Sequence, residues 1–163
     1  MSAIEIDSFS LETHEGEYEN WPLETRLYFK REDTQTKVPG FAIEAQYQLP
    51  IGYLLITSWD CPFEESNNFL LLDSEFSCVA QNELKPYFNT YLLCAHWPIS
   101  DDAFVLHYAS DLFFTLSIQA SFLGKRLCLE VVAEDSLTDD MKRSVLEYEK
   151  QLEEVRKTFG GRV

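Results

Sequence analysis

The fold class is indicated first by residues 41–58, FAIEAQYQLPIGYLLITS. From Phe41 to Leu49 apolar and polar side chains alternate, which is the two-residue period of a half-buried strand. Pro50-Ile51-Gly52 predicts a turn, and Tyr53–Ser58 then reads as a returning strand of the fully buried type. This segment therefore predicts an antiparallel hairpin.

Similar strand-like segments follow one another along most of the chain, separated by short turns and with no helical segment between them. The polar residues 32–37 and then Pro39-Gly40 are expected to end the first strand. Because parallel sheets need crossover helices, we predict a mainly β (α+β) fold: an antiparallel meander of about nine strands, forming a barrel or a two-layer sheet. The other predicted strands are Arg26–Arg31, Phe69–Leu72, Phe76–Gln81, Tyr91–Trp97, Ala103–Tyr108, Leu112–Gln119 and Arg126–Val132.

The hydrophobic period changes to three and four residues after position 136, which predicts one long C-terminal helix over residues 137–159. Thr138 is a suitable N-cap, and Gly160-Gly161 would stop the helix. Its apolar stripe is expected to pack on the sheet, with a homodimer seam as the alternative to a monomer. The stripe consists of Leu137, Met141, Val145, Tyr148, Leu152, Val155 and Phe159.

The length of 163 residues predicts a single domain, 1–163, with an acidic N-terminal arm at 1–22, an antiparallel β body at 23–133 and the helix at 137–159. Trp21-Pro22 is expected to pin the arm to the body. The N-terminus resembles no signal peptide, and no apolar run is long enough to span a bilayer. The four widely spaced cysteines are typical of a reducing compartment, so we expect a cytoplasmic protein.

The net charge of −15 is unevenly distributed along the chain. Residues 1–25 carry seven acidic residues and no Lys or Arg, and residues 38–124 carry ten acidic residues with Lys85 as their one base. This field would repel nucleic acid and anionic membranes, and we expect neither as a partner. A basic protein is the expected partner, although plain solubility also explains an acidic chain.

No recognised catalytic motif is present in the sequence. Cys61 has Asp60, Glu64 and Glu65 beside it, and these carboxylates would raise its pKa and suppress the thiolate. Cys94 and His96 are expected to face the same side of a strand, but a structural zinc site needs four ligands. We therefore predict a protein that is not an enzyme and has no catalytic residues, no metal and no cofactor.

Aromatic residues at strand ends and acidic residues in turns are the candidate partner-binding residues. Such a mixture of aromatic anchors and charged surroundings is typical of protein interfaces. The alternative is that each aromatic covers an open end of the sheet. The candidate residues are Trp59, Asp60, Phe63, Glu64, Glu65, Asp73, Glu75, Trp97, Asp101, Asp102 and Asp111.

In general composition the chain is similar to the acidic immunity proteins of bacterial toxin–immunity pairs, which neutralise basic nuclease toxins. The leading hypothesis is therefore an acidic module that binds and inhibits a basic partner such as a nuclease toxin domain. One alternative is a β-barrel that binds a small ligand or catalyses a reaction in its interior. Another is a nucleic-acid mimic, which would require two regular rows of carboxylates.

Overall fold

A computed structural model describes residues 3–60, 66–84 and 92–160. Within these residues the chain forms twelve strands and one α-helix. The elements are β1 (Ile4–Glu5), β2 (Phe9–Leu11), β3 (Thr25–Phe29), β4 (Glu32–Val38), β5 (Ala42–Leu49), β6 (Gly52–Ser58), β7 (Asn67–Leu72), β8 (Cys78–Leu84), β9 (Leu93–Ser100), β10 (Ala103–Tyr108), β11 (Leu112–Ser121), β12 (Gly124–Val131) and α1 (Asp139–Phe159).

The strands form three antiparallel sheets, which confirms the mainly β fold with one C-terminal helix. The central sheet has the order β1-β5-β6-β7-β8, the helix-side sheet the order β12-β11-β10-β9, and the outer sheet the order β2-β3-β4. Over the described ranges the sheets stay open, so the packed-layer prediction is correct and the closed barrel is wrong. The strands beyond the predicted nine are β1, β2 and β4.

The central sheet is buried on both faces, which explains the continuous apolar runs in β6 and β7. On one face Leu55, Leu70 and Leu72 pack against Phe9 and Leu27 of the outer sheet. The opposite face packs on the helix-side sheet; its buried side chains include Leu54, Ile56, Phe69, Leu71, Phe104, Leu106 and Leu116.

The helix covers the second face of the helix-side sheet. Met141 is buried against Val105 and Phe113, and the Thr138 hydroxyl accepts a hydrogen bond from the Met141 amide as N-cap. The predicted stripe is covered only along its first half, because Val155 is 52% exposed and Phe159 75% exposed. Within the described residues no helix is long and apolar enough to cross a membrane.

The strand β4 corrects the expectation that the polar segment 32–37 ends the preceding strand. It pairs with β3 through a tight turn at Lys30 and Arg31, whose φ values are 50° and 69°. Two successive positive φ angles define the type I′ hairpin turn, which usually contains Asn or Gly. The sequence did not indicate this turn because it contains neither Asn nor Gly.

Candidate functional site

An aromatic cluster lies at one end of the central sheet, around Trp59. The ring of Phe41 lies 5.0 Å from the rings of both Trp59 and Trp21, measured between centroids, and 5.5 Å from the ring of Tyr18. The Tyr18 hydroxyl donates a hydrogen bond of 2.9 Å to the Trp59 carbonyl. The contact between Trp21 and Phe41 confirms that Trp21 fastens the N-terminal segment to the β body.

Sheet pairing places Phe41 beside Trp59. The Phe41 amide donates to the Ser58 carbonyl at 2.7 Å, so the residues just before β5 and just after β6 share one sheet end. The bend at Pro39-Gly40 is fixed by the Thr57 hydroxyl, which donates to the Pro39 carbonyl at 2.6 Å. Gly40 has φ +112°, and a Cβ there would lie 2.6 Å from the Thr57 hydroxyl oxygen, so a side chain would disturb this corner.

Exposed carboxylates follow the aromatic residues closely in sequence. Glu17 and Glu19 flank Tyr18, and Asp60 follows Trp59. We call this region the Trp59 surface and define it as Tyr18, Trp21, Phe41 and Trp59 with the exposed carboxylates Glu15, Glu17, Glu19, Glu24 and Asp60. The sequence predicted its members Trp59 and Asp60.

A groove of about 290 Å³ lies beside Trp59, between β4 of the outer sheet and β8 of the central sheet. Leu70 and Asn68 of β7 contribute to its lining, and Glu24, Glu83 and Lys37 supply its charges. Asn68 is only 2% exposed, and its Nδ2 has no hydrogen-bond partner among the described residues. The Trp21 Nε1, in the neighbouring cluster, is also buried and finds no partner in the described part of the chain. Two unused donors thus lie at this end of the molecule.

The other candidate residues are distributed between the two ends of the packed sheets. The hydroxyl of Tyr108, the last residue of β10, donates at 2.7 Å to Oδ1 of Asn67, the first residue of β7. The turn that follows β10 and contains Asp111 therefore lies at the same end as Trp59. Asp73 and Glu75 lie in the β7–β8 turn, at the opposite end of the central sheet.

Asp101 and Asp102 lie in the β9–β10 turn, next to β11. The Asp102 carbonyl accepts a hydrogen bond from the Ile118 amide at 2.8 Å, at the end of β10 opposite to the end that leads to Asp111. The structure therefore does not bring all acidic turns into one patch. Three other candidates, Phe63, Glu64 and Glu65, lie outside the described residues, as does Cys61.

Trp97 lies within β9 and not at a strand end. It packs with Val105, Phe113 and Met141 between the helix-side sheet and α1. In this position its ring stabilises the helix contact. The residues that the sequence reasoning missed are Tyr18, Phe41 and Asn68. Phe41 reads as the first residue of an alternating strand, and nothing in the sequence indicates that Asn68 would line a groove.

A further cluster, at the contact between Tyr47 and His96, contains titratable groups. The Tyr47 hydroxyl lies 2.5 Å from His96 Nδ1, and burial, with a smaller effect from Glu5, raises the pKa of Tyr47. Burial is the largest effect on the pKa of His96 and lowers it. Burial therefore favours the neutral form of both groups, and their contact connects the central and helix-side sheets.

The expectation that Cys94 and His96 face the same side of β9 is wrong. Tyr108 pairs with Leu93 and His107 with Ala95, so Cys94 is an extra residue at a bulge. The bulge breaks the alternation. His96 meets Tyr47 of the central sheet, whereas Cys94 interacts with Tyr148 of the helix.

Burial raises the pKa of the Cys94 thiol, which disfavours its thiolate. Among the described residues no three His, Cys, Asp or Glu side chains converge in an arrangement that could hold a metal ion. The most distinctive arrangement in the described part of the chain is therefore the Trp59 surface with its adjoining groove. Comparisons with protein-family models, curated proteins and solved structures found no match.

Proposed function

We propose that the protein is an acidic binding module that neutralises a basic partner protein through the Trp59 surface. The observation that carries the proposal is the placement of four half-buried or exposed aromatic rings among exposed carboxylates. Most of these carboxylates belong to residues 1–25, which contain no Lys or Arg. The partner class that fits best is a nuclease toxin domain, which must be basic to hold phosphate. The protein would then act as its immunity protein.

The two kinds of residue have different roles in such an interface. Carboxylates attract a cationic partner over several ångströms and raise the association rate, an effect that salt screens. Aromatic side chains bury a large apolar area at little conformational cost and lower the dissociation rate. Phe41 is the structural centre of the cluster because its ring contacts those of Tyr18, Trp21 and Trp59.

Open sheets with filled interfaces fit this proposal better than the barrel alternative. In the described residues the space between the central and helix-side sheets is occupied by side chains such as Tyr47, Phe69 and Phe104. A ligand pocket of the barrel type would need that space. The carboxylates available for binding lie instead on the outside of the molecule, where a protein partner can reach them.

Charge reversal at the Trp59 surface tests the proposal. We expect a basic nuclease domain encoded at the same locus to form a salt-sensitive complex with the protein. Changing Glu15, Glu17 and Glu19 to Lys should slow association at least about tenfold at low salt, because all three are exposed and close to the aromatic cluster. Stopped-flow fluorescence measures the rate, and thermal unfolding checks that the variant is folded.

The matched control carries the same charge change elsewhere. Changing Glu75, Asp101 and Glu154 to Lys alters the net charge equally, but at the opposite end of the sheets and on the helix. We expect this variant to associate at close to the wild-type rate. Equal slowing in both variants would show that only net charge matters, and unchanged association in the Glu15, Glu17 and Glu19 variant would contradict the proposal.

A further inference from the structure

An exposed apolar pair forms the tip of the hairpin between β11 and β12. Phe122 and Leu123 lie between the paired residues Ser121 and Gly124, and the pairing of β11 with β10 ends at Ser117, so the hairpin extends past β10. Phe122 is 102% exposed and Leu123 is 93% exposed, which means that the described part of the chain covers neither side chain. Hairpin turns of this length favour Gly, Asn, Asp or Ser, and an apolar pair adds nothing to the turn itself.

A groove of about 470 Å³ adjoins this hairpin tip. We call it the tip groove and define it by its apolar lining, which consists of Ile51, Leu71, Val79 and Leu123. Leu71 is buried and belongs to the core, whereas Ile51 and Val79 are exposed. The volume of the groove lies above the lower limit of about 300 Å³ for ligand pockets, so it admits an apolar side chain. A projecting apolar pair and an apolar recess thus lie side by side on one surface.

Both signs of charge accompany the hairpin tip and the tip groove. Lys125 and Arg126 follow the tip and are exposed. The β5–β6 turn, on one side of the groove, touches the acidic β7–β8 turn, because a Cβ added to Gly52 would lie 3.0 Å from the Asp73 Cα. Asp73 and Glu75 of that turn therefore lie near the groove. An apolar projection that carries its own cations fits this surface, since those cations would face the two carboxylates.

The hairpin tip of a second copy of this chain has these properties. In a dimer with a two-fold axis both copies use the same patch, so the patch must contain a projecting part and a receiving part. The tip of one copy meets the groove of the other, and symmetry repeats the contact. Lys125 and Arg126 of each copy then approach the acidic β7–β8 turn of the other copy. The two local charges of each sign offset one another, so this end of the molecule lacks the purely acidic character of the Trp59 surface.

We propose that the protein forms a two-fold symmetric dimer in which Phe122 and Leu123 of each copy insert into the tip groove of the other. The inference goes beyond the proposed function and does not depend on it. One aromatic side chain buries about 150–250 Å², so two short tips supply less than the roughly 800 Å² per partner of a standard complex. We therefore expect a concentration-dependent dimer with a Kd of about 10–100 μM.

Such a dimer leaves the Trp59 surface of each copy accessible. Ile51 precedes β6 and Trp59 follows it, so the tip groove and the Trp59 surface lie at opposite ends of this strand. The dimer would present two Trp59 surfaces that face away from each other, one for each basic partner molecule. A variant without the hairpin tip should therefore still associate with the basic partner at close to the wild-type rate.

Sedimentation velocity of the full chain tests the dimer. The protein is measured from about 1 μM to about 1 mM, in about 0.15 M salt because each copy carries a net charge of −15. The double variant Phe122→Ser, Leu123→Ser removes the apolar tip, and serine suits a turn position. We expect it to dimerise at least about tenfold more weakly with an unchanged Tm, because both side chains are exposed in the single copy.

The matched control makes the same kind of change on the helix. The double variant Val155→Ser, Phe159→Ser alters two exposed apolar residues of α1 and should dimerise like the wild type. Loss of the dimer in the helix variant, together with normal dimerisation of the tip variant, would overturn the inference and assign the dimer contact to α1.

A variant of the groove tests whether the tip inserts there. Val79→Glu places a charge in the tip groove and leaves the hairpin tip intact, so this variant alone should also dimerise at least about tenfold more weakly. Mixing it with the tip variant brings one intact tip to one intact groove. The mixture should therefore associate more strongly than either variant alone, and less strongly than the wild type. Normal dimerisation of Val79→Glu, or no gain on mixing, would contradict the insertion.

Other occupants of the hairpin tip give different results. A wild-type protein that stays monomeric up to about 1 mM would overturn the inference. If that monomer floats with vesicles of uncharged phosphatidylcholine and the tip variant does not, the tip binds a lipid surface and not a second copy.

Discussion

At the scale of single residues, His107 connects the helix to the sheet beneath it. The imidazole is fully buried, with Nδ1 2.8 Å from the Ser144 hydroxyl and the ring stacked on Phe113 at 4.4 Å between centroids. Nε2 lies 3.8 Å from the nearest carboxylate oxygen of Asp111, beyond hydrogen-bond distance. Burial lowers the pKa of His107, and Asp111 opposes this effect only in part.

This burial predicts a pH dependence of stability. Because the pKa of His107 is lower in the folded than in the unfolded protein, the unfolded state binds more protons just below about pH 6.5. The free energy of unfolding should therefore be highest above that pH and fall as the pH decreases through the folded pKa. Urea unfolding at pH 7.5 and pH 5.5 measures this difference.

The variant His107→Gln should show a smaller loss of stability over the same pH interval. Some loss will remain, because burial also lowers the pKa of His96. A pH dependence identical to that of the wild type would mean that His107 does not titrate differently in the folded state.

Individual residues also show where sequence reasoning reaches its limit. Alternation correctly placed Ala45 and Tyr47 on one face of β5, but it also placed Ile43 there, and a bulge at Glu44 turns Ile43 to the opposite face. Alternation likewise placed Cys94 and His96 on the same side of β9, which is wrong. A single bulged residue reverses every later assignment, and its position depends on the pairing with β10, which the local sequence does not specify.

At the scale of secondary-structure elements, local signals predicted the helix and most strands well. The helix spans Asp139–Phe159 with Thr138 as its N-cap, as the sequence indicated. The strand β4 was missed because its side chains are mainly polar and its turn lacks Asn or Gly. The polar side of β5 is not simply solvated either, since Gln46 exchanges hydrogen bonds of 2.7 and 3.1 Å with the Phe9 backbone of the outer sheet.

The helix contact yields a matched pair of stability predictions. Met141 is 4% exposed against the sheet, whereas Leu146 is 58% exposed in the same helix. Met141→Ala should lower the free energy of unfolding by about 2–4 kcal/mol, because it leaves a cavity among Val105, Phe113 and Trp97. Leu146→Ala should change it by less than about 0.5 kcal/mol.

Chemical denaturation of both variants measures the difference. Alanine is introduced into one helix in both cases, so helix propensity contributes little to the comparison. Equal effects of the two substitutions would show that α1 is not docked through Met141. The second half of the stripe is exposed, so the alternative of a homodimer through this helix stays a hypothesis that sedimentation analysis can examine.

At the scale of the whole molecule, three sheets and a helix form a layered stack with the central sheet inside. The continuous apolar run of β6 indicated a strand of the fully buried type. The sequence could not show which elements cover those faces, because that depends on contacts between distant segments such as Leu27 with Leu55. For the same reason, Tyr18, Phe41 and Asn68 were not recognised as parts of one site.

The layering also divides the acidic turns between two ends of the molecule. The Trp59 end combines carboxylates with aromatic rings and a groove, whereas Asp73, Glu75, Asp101 and Asp102 lie at turns away from it. An even distribution of acidic turns would act mainly through net charge. The local combination at the Trp59 end is what makes a defined binding surface the better explanation.

Hydrogen–deuterium exchange of the protein, free and bound to the basic nuclease domain encoded at its locus, tests the central claim most directly. Exchange is measured peptide by peptide along the chain at a partner concentration that saturates binding. We predict slower exchange at residues 14–24 and 58–60, which contain the exposed backbone of the Trp59 surface, with little change at residues 99–102 and 122–124. Protection confined to residues 99–102 and 122–124, or no protection anywhere, would contradict the account.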